Sequence, residues 1–265
     1  MPQNSVLIST DEVSLGISRC GAVSAETAEE EVESQFTLVF PLDGVFVVET
    51  AGGRVSATPT KAVLFSSGQD RRVRHPHGGH DRSAFISLSS SFAEPFLATS
   101  GVFSVGLGYT TPRLDYRLRC LLAELRAGYA DELETEEFAV AALEELLTIE
   151  ETGSSCTGRA VVACAEEFLS LHFREQCSLS TVAQHVGYSS HHLSRSFKQV
   201  TGESLSGRRM RLRLAEALSQ ILDGADDLSR VAVESGFYDH SHLTNTFRDR
   251  FGVTPREARS VITSK

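Results

Sequence analysis

The carboxy-terminal part of the chain contains the same sequence pattern twice. The matched positions are Ala183, Gly187, Leu193, Phe197, Lys198 and Gly202 in the first copy and Ala232, Gly236, Leu243, Phe247, Arg248 and Gly252 in the second. The offset is 49 residues for the first two pairs and 50 for the others, so the second copy has one extra residue after its first glycine. A chain with this duplication is expected to fold into two similar supersecondary units.

Each copy predicts two short helices separated by a sharp turn. The first helix follows a capping residue, Ser178 or Asp227, and has apolar and small residues at helical spacing. It ends at Gly187 or Gly236, because glycine readily adopts the positive φ with which a chain leaves a helix abruptly. A second helix begins a few residues later. This arrangement is typical of a helix-turn-helix.

The second helix of each copy has one apolar face and one polar face. Two apolar residues four positions apart anchor it in the core. The opposite face carries donor side chains suited to DNA, namely His191, Ser194, Arg195 and Lys198 in the first copy and His240, Ser241, Asn245 and Arg248 in the second. Arg195 can bridge the two acceptors of guanine, and Asn245 can pair with the edge of adenine. We therefore predict that Arg195 and Asn245 read bases, and that Lys198 and Arg248 contact phosphates.

The segment between the two copies, residues 205–223, predicts one long helix that ends before Gly224. At 1.5 Å per residue it would be about 28 Å long, close to the ~34 Å between successive major-groove faces on one side of B-DNA. Residues 190–213 contain six basic side chains and a single acidic one, Glu203. We expect the two units to share one face of DNA and these bases to supply a local positive field.

These basic residues matter because the protein as a whole is acidic. The formal net charge is −10. Residues 1–157 contain 11 basic and 23 acidic side chains, and residues 158–265 contain 14 and 12, which gives −12 for one part and +2 for the other. An evenly spread negative charge would argue against a DNA-binding protein, but the charge is not evenly spread.

The amino-terminal part has the pattern of a β-sheet domain. Short runs rich in Val, Phe and Ile are separated by Gly, Pro and Asp. The predicted strands are residues 13–19, 37–40, 45–50, 54–57, 62–66, 71–75 and 84–88. Their short connections favour an antiparallel barrel or sandwich. The acidic run 26–33 is expected to be a solvated loop or the edge of a helix.

Residues 113–149 predict a pair of amphipathic helices, because leucines and other apolar residues recur there at three- and four-residue steps. The stripe formed by Leu114, Leu118, Leu121 and Leu125 is either a dimer seam or a strap across the barrel. Residues 150–158 have no apolar period and contain Gly and Ser, which is typical of a linker.

The predicted fold class is therefore a two-domain α+β protein. The amino-terminal domain covers residues 1–149, with an antiparallel, cupin-like β-barrel over about 1–112 and the helical pair over 113–149. After the linker at 150–158, an all-α domain at 159–265 holds two helix-turn-helix units joined by the long helix.

One histidine-rich segment, with His75, His77 and His80, raises the question of a metal site. Imidazoles two positions apart on a strand point to one side. A cupin-type metal barrel also needs a carboxylate and a distant histidine, and the first half of the chain has no other histidine. A glycine-rich turn with solvated histidines is the favoured interpretation, and we predict no metal and no cofactor.

The sequence also argues against several other classes of protein. It has no G-x-S-x-G and no phosphate-binding G-x-x-x-x-G-K pattern, so no enzyme is predicted. Five scattered cysteines without a C-x-x-C pair indicate reduced thiols. There is no long apolar run and no secretory pattern at the start, so we expect a cytoplasmic protein with no membrane contact.

The carboxy-terminal residues resemble the DNA-binding domain of the AraC/XylS family of bacterial transcription regulators. The resemblance covers residues 158–259 and is most specific at 236–259, which read GFYDHSHLTNTFRDRFGVTPREAR. In this family two recognition helices enter adjacent major grooves, which implies the same polar faces at the DNA. The chain departs from the family at Asn245, where Arg is frequent, and at Ala258, where an aromatic residue is usual.

The resemblance implies a ligand-responsive transcriptional activator that acts on double-stranded DNA together with RNA polymerase. We therefore hypothesise that a small-molecule effector binds inside the barrel, and the candidate pocket residues are Phe40, Phe46, Phe65 and Phe85. The resemblance also favours a homodimer through the leucine stripe. Two alternatives remain, a metal-dependent cupin-type enzyme with a helical appendage and a regulator whose barrel serves only for oligomerisation.

Overall fold

The computed structural model describes residues 3–21, 28–32, 35–50, 53–68, 70–78, 81–100, 106–147 and 156–260. The chain divides into two compact units, residues 1–150 and residues 151–265. The first unit contains strands and helices, and the described part of the second is built from helices. Among the helices of the described ranges, none combines the length and the apolar character needed to cross a membrane.

The described residues of the first unit include ten strands, which pair antiparallel into two sheets. The strands are β1 (Gln3–Ser9), β2 (Val13–Arg19), β3 (Ala28–Val32), β4 (Phe36–Asp43), β5 (Phe46–Thr50), β6 (Gly53–Ala57), β7 (Lys61–Phe65), β8 (Asp70–Arg74), β9 (Arg82–Leu88) and β10 (Gly106–Tyr109). One sheet has the order β1-β2-β9-β4-β7-β10 and the other has the order β3-β8-β5-β6. Three helices accompany them, α1 (Ser90–Ser100), α2 (Pro112–Ala127) and α3 (Glu132–Leu147).

The two faces of the six-stranded sheet belong to different cores, because successive side chains of a strand point to opposite sides. On one face, Leu38 and Ile86 pack with residues of the helices, such as Phe138. On the other face, Val39 and Val63 pack with residues of the four-stranded sheet. The described strands therefore form two packed sheets under a helical layer and not one closed barrel, and the predicted antiparallel, cupin-like sheet domain is confirmed in this form.

The seven predicted strands are present, but three strands and helix α1 were not predicted. The most informative of these is β3, because it lies in the acidic run that was expected to be a loop or a helix edge. In the register of β3 with β8, Glu30 lies opposite Arg72 and Glu31 lies opposite Arg71. The expectation was wrong because the backbone of β3 pairs with β8, a strand far away in the chain, and local sequence does not show such a partner.

The leucine stripe of α2 is buried inside its own unit. Helix α2 begins after the cap Thr111, whose side chain accepts a hydrogen bond from the N–H of Leu114. Leu114, Leu118 and Leu121 are buried in the core that also contains residues of the six-stranded sheet, and Leu125 packs against that core. The stripe is therefore a strap over the sheet, and the prediction of a dimer seam at this stripe was wrong.

The second unit contains seven helices in its described part. They are α4 (Cys156–His172), α5 (Leu179–Val186), α6 (Ser190–Thr201), α7 (Leu205–Leu222), α8 (Leu228–Glu234), α9 (His240–Phe251) and α10 (Pro255–Ser260). Helix α4 begins at Cys156, inside the stretch predicted as a linker. Its residues Val161, Val162 and Ala165 lie on one buried face. Residues 150–155 of the predicted linker lie outside the described residues.

Candidate nucleic-acid interface

The first helix-turn-helix consists of α5, the turn at Gly187 and α6. The Ser178 hydroxyl caps α5 by accepting from the N–H of Thr181 at 3.1 Å, and the Ser189 hydroxyl caps α6 by accepting from His192 at 3.2 Å. Gly187 adopts φ 75°, a left-handed conformation that L side chains rarely adopt. These local hydrogen bonds and this glycine explain why the two predicted helices meet at a sharp turn.

The second helix-turn-helix, α8 and α9, is built in the same way with aspartates as caps. The Asp227 carboxylate accepts from the N–H groups of Ser229 and Arg230, at 2.9 and 3.1 Å. The Asp239 carboxylate accepts from His242 at 2.7 Å. Because a carboxylate near a helix N-terminus also interacts favourably with the helix dipole, the start of each helix in this unit is stabilised electrostatically as well.

Each recognition helix is anchored by two fully buried side chains, Leu193 and Phe197 in α6 and Leu243 and Phe247 in α9. The opposite faces are open to solvent. All eight predicted contact residues are exposed, namely His191, Ser194, Arg195, Lys198, His240, Ser241, Asn245 and Arg248. The structure thus gathers four of them on the outer face of each recognition helix, where they can donate hydrogen bonds to base edges and phosphates.

Aromatic residues beside the recognition helices were missed by sequence reasoning. Tyr238, just before α9, is 87% exposed, and Tyr188, at the matching place before α6, stacks on His192 with ring centroids 5.0 Å apart. A tyrosine hydroxyl can donate to a phosphate oxygen. The duplication could have revealed them, because Tyr188 and Tyr238 are 50 residues apart and each directly precedes the cap of its recognition helix.

The predicted basic field needs a correction, because half of its six side chains are buried. Arg208, Arg211 and Arg213 on α7 are only 1%, 6% and 4% exposed. The sequence shows that these residues are positively charged. It does not show the acidic side chains and carbonyl oxygens that surround them in the fold. These arginines cannot contact DNA in this structure. The recognition helices do carry exposed cations, Arg195 and Lys198 on α6 and Arg248 and Arg250 on α9.

The buried arginines hold the helical unit together. Arg208 forms an ion pair with Glu166 of α4 at 3.0 Å and a second one with Glu203. The guanidinium of Arg213 donates to the carbonyl oxygens of Phe173 and Glu175, at 2.6 and 3.0 Å. Burial is the main reason that the pKa of Arg213 lies below its ordinary value. These contacts fix α7 to α4 and to the segment that follows it.

Helix α7 connects the two reading units. Its 18 residues correspond to about 27 Å at 1.5 Å per residue, near the length expected from the sequence. It packs against α4 and α6 beside the first helix-turn-helix and against α8 and α10 beside the second. Such packing allows α7 to act as a stiff spacer between the two units.

The candidate effector residues do not lie together. Phe40 is buried in the core under the helices, with its ring centroid 6.4 Å from that of Phe138. Phe46 and Phe65 belong to the core between the two sheets. Phe85 lies opposite Val39 in the strand register and so shares the face that points to the four-stranded sheet. Phe40 is thus separated from the other three by the six-stranded sheet.

The histidines of the histidine-rich segment do not share one environment. His75 is buried, His77 is exposed, and His80 lies outside the described residues. His75 instead lies beside two groups that the sequence pattern did not connect with it. The Sγ of Cys20 is 3.3 Å from its Nε2, and Oδ1 of Asp81 is 2.6 Å from its Nδ1. No periodicity could have found this cluster, since Cys20 is 55 residues away in the chain.

Comparison with known proteins assigns both units. A family model described as an AraC-binding-like domain matches residues 7–149, and a model of a helix-turn-helix domain matches residues 182–260. The transcriptional activator RhaS of Escherichia fergusonii is 35% identical over 88 residues, which are 33% of this chain and 32% of RhaS. The transcriptional regulator ArgR of Pseudomonas aeruginosa is 32% identical over 89 residues, which are 34% of this chain and 27% of ArgR.

The matched segment therefore spans about a third of these curated relatives or less. Among solved structures, ToxT from Vibrio cholerae aligns with 97% of this chain and 100% of its own, at 13% identity and a TM-score of 0.38. An AraC-type regulator from Chromobacterium violaceum aligns with 42% of this chain and 98% of its own, at 26% identity and a TM-score of 0.39. Because the AraC-binding-like model alone covers more than half of the sequence, the protein belongs to the AraC/XylS family of bacterial transcription regulators.

Proposed function

We propose that the protein binds specific sites on double-stranded DNA through α6 and α9 and activates transcription there together with RNA polymerase. The observation that carries this proposal is the pair of duplicated helices whose inner faces are fully buried and whose outer faces expose the eight donor side chains. The name of the RhaS relative, a transcriptional activator, supports activation as the direction of the effect.

The eight exposed side chains divide by chemistry. Arg195 and Asn245 are proposed to read guanine and adenine, because each can make two hydrogen bonds to one base. Lys198 and Arg248 occupy matching positions in the two copies and are proposed to contact phosphates. The remaining four, His191, Ser194, His240 and Ser241, lie at or near the start of their helices, where they can reach either bases or the backbone.

The experiment is a salt titration of DNA binding by the full-length protein. Lys198→Ala and Arg248→Ala should each reduce the slope of log K against log salt by about 1, because each removes one phosphate contact. Arg54→Ala is the matched control, since Arg54 is an exposed arginine of the sheet unit. Unchanged slopes in both recognition-helix variants would contradict the proposal.

The first unit is proposed to sense a small effector between its two sheets, at the layer to which Phe46 and Phe65 contribute. A bound molecule would change the DNA affinity only if it prefers one arrangement of the protein over another. A thermal-shift screen of the full-length protein against metabolites tests this, because a specific ligand stabilises the folded state. If no compound stabilises the protein, a role restricted to oligomerisation is favoured instead.

Self-association as a homodimer is also proposed, by a surface other than the buried leucine stripe of α2. Sedimentation velocity of the full-length protein measures it directly. A monomer at all concentrations, both with and without DNA, would contradict this part of the proposal.

A further inference from the structure

Three chemically reactive side chains come together where the two sheets of the first unit meet. Cys20 directly follows β2, His75 directly follows β8, and Asp81 directly precedes β9. Strands β2 and β9 are neighbours in the six-stranded sheet, whereas β8 belongs to the four-stranded sheet. The N–H of Cys20 donates to the carbonyl oxygen of Asp81 at 3.0 Å, so the backbone holds two of the three residues in place.

The three side chains are almost completely buried, and their polar atoms converge. Cys20, His75 and Asp81 are 7%, 4% and 8% exposed. A thiol sulfur, a ring nitrogen and a carboxylate oxygen, one from each residue, lie within 4.8 Å of one another. The turn before β5 closes over the group, since a Cβ on Gly44 would come within 2.8 Å of the Asp81 Cβ. The ring of Phe46 adds an apolar wall, with its centroid 6.4 Å from the His75 ring.

We propose that this cluster is a Zn²⁺ site in which the Cys20 thiolate and Nε2 of His75 are ligands. In a tetrahedral zinc site, a sulfur at 2.3 Å and a nitrogen at 2.0–2.1 Å from the metal are about 3.5 Å apart. The 3.3 Å between Sγ of Cys20 and Nε2 of His75 is close to that value. Thiolate and imidazole are also the donors that select zinc over calcium or magnesium.

Asp81 acts on the other side of the imidazole. Its Oδ1 lies 2.6 Å from Nδ1 of His75, so the carboxylate can hold that nitrogen while Nε2 faces the metal. Ligating histidines generally have a carboxylate or carbonyl partner of this kind, which fixes the tautomer and the orientation of the ring. We therefore assign Asp81 as a positioning residue. Two protein ligands leave further coordination positions for water or for a donor atom of a small molecule.

The charges of the site would match those of a divalent cation. Buried charges are paired or coordinate metals, because an isolated ion in an apolar interior is very costly. With zinc bound, the Cys20 thiolate and the Asp81 carboxylate would carry two negative charges, which the single Zn²⁺ would neutralise. Cys20 and Asp81 lie at the ends of two neighbouring strands of the six-stranded sheet, and His75 follows a strand of the four-stranded sheet, so the metal would also link the two sheets. This inference is independent of the proposed DNA contacts.

The test uses the full-length protein stripped of metal and then titrated with Co²⁺ as a spectroscopic substitute for Zn²⁺. The wild type should bind one equivalent and show a thiolate-to-cobalt charge-transfer band together with the visible bands of tetrahedral cobalt. Zinc should displace the cobalt and abolish both. The absence of any charge-transfer band in the wild type would overturn the proposal, whether or not the variants fold.

Variants assign the ligands. Cys20→Ser and His75→Gln should each lose the charge-transfer band, while the controls Cys120→Ser, another buried cysteine of this unit, and His77→Gln, the exposed neighbour, should keep it. Asp81→Asn should bind cobalt about 10–100-fold more weakly but keep the band. Zinc should also raise the melting temperature of the wild type and of the controls. Retention of the full band in Cys20→Ser would overturn the assignment.

Discussion

The two helix-turn-helix units have similar recognition helices, but different tertiary contacts hold them in place. Both recognition helices are anchored by a leucine and a phenylalanine with no solvent exposure. The first helix-turn-helix packs on α4, and the buried ion pair of Glu166 with Arg208 fastens α4 to α7. The second unit rests on α10, where Arg259 donates to the carbonyl oxygen of Ala225 at 2.7 Å. The difference teaches that the duplicated part is the reading surface, and that each copy is stabilised by its own set of contacts.

The largest expected loss of stability comes from breaking the buried ion pair of Glu166 with Arg208. Glu166→Ala should destabilise the second domain by about 3–5 kcal/mol, because it removes a partner from a guanidinium that is 1% exposed. The matched change in the second helix-turn-helix is Glu234→Ala, which removes an exposed i,i+4 pair with Arg230 and should cost no more than about 0.5 kcal/mol. Urea denaturation of the full-length variants measures both. Similar losses in the two variants would show that the supports are equivalent.

The turn glycines should show the next largest difference. Gly187 and Gly236 both have positive φ, so alanine should cost about 1–2 kcal/mol at either position. Around Gly187 a Cβ would meet open space, whereas at Gly236 it would lie 2.8 Å from the carbonyl oxygen of Arg174. Gly236→Ala should therefore cost about 1–3 kcal/mol more than Gly187→Ala. Thermal unfolding of both variants checks this, and equal losses would rule out the close contact.

Alanine substitutions on the recognition helices should affect DNA binding in two ways, depending on whether the residue reads a base or contacts a phosphate. Arg195→Ala should cost about 1–3 kcal/mol of DNA binding and relax the preference at one base pair, and Asn245→Ala should do the same at another position. Lys198→Ala should weaken binding to all sequences alike. Affinities for a library of single-base variants of one binding site, at constant salt, measure these effects. If Arg195→Ala and Lys198→Ala weakened every sequence equally, Arg195 would not be a base-reading residue.

The smallest expected effect on stability concerns the N-terminal cap of the helix that follows each helix-turn-helix, α7 after the first and α10 after the second. In the second copy, Glu257 accepts from the backbone N–H and the hydroxyl of Thr254, which lowers its pKa below the ordinary 4.5. A carboxylate with a lowered pKa stabilises the fold while it is ionised, so this contribution should be lost as pH falls through the folded-state pKa. The stability difference between the wild type and Glu257→Gln should therefore shrink on acidification.

The first copy supplies the control for this pH effect. At the matching place the cap is Ser204 and the residue three positions later is Gly207, whose N–H donates to the Ser204 hydroxyl at 3.1 Å. Ser204→Ala removes a cap without a titrating group, so its cost should not depend on pH. Unfolding free energies measured at several acidic pH values compare the two. A pH-independent difference for Glu257→Gln would contradict the role of the carboxylate.

Much of the DNA-reading surface could be predicted because its determinants are local. The caps Ser178, Ser189, Asp227 and Asp239 act on N–H groups two or three residues away, and the anchors of each helix lie four residues apart. Interactions over such short distances are visible in the order of residues. The predicted strand positions succeeded for the same reason, since alternation and turn residues are also local signals.

The sequence by itself therefore determined the duplication, the two recognition faces and the two-part organisation into sheets and helices. Only the tertiary structure decided that Arg208 is buried instead of facing DNA, that the leucine stripe covers its own sheet, and that Cys20 and Asp81 join His75. The physical reason is that burial and pairing depend on groups far apart in the chain. A residue's charge and period show what it can do, but its distant neighbours decide which of these possibilities is used.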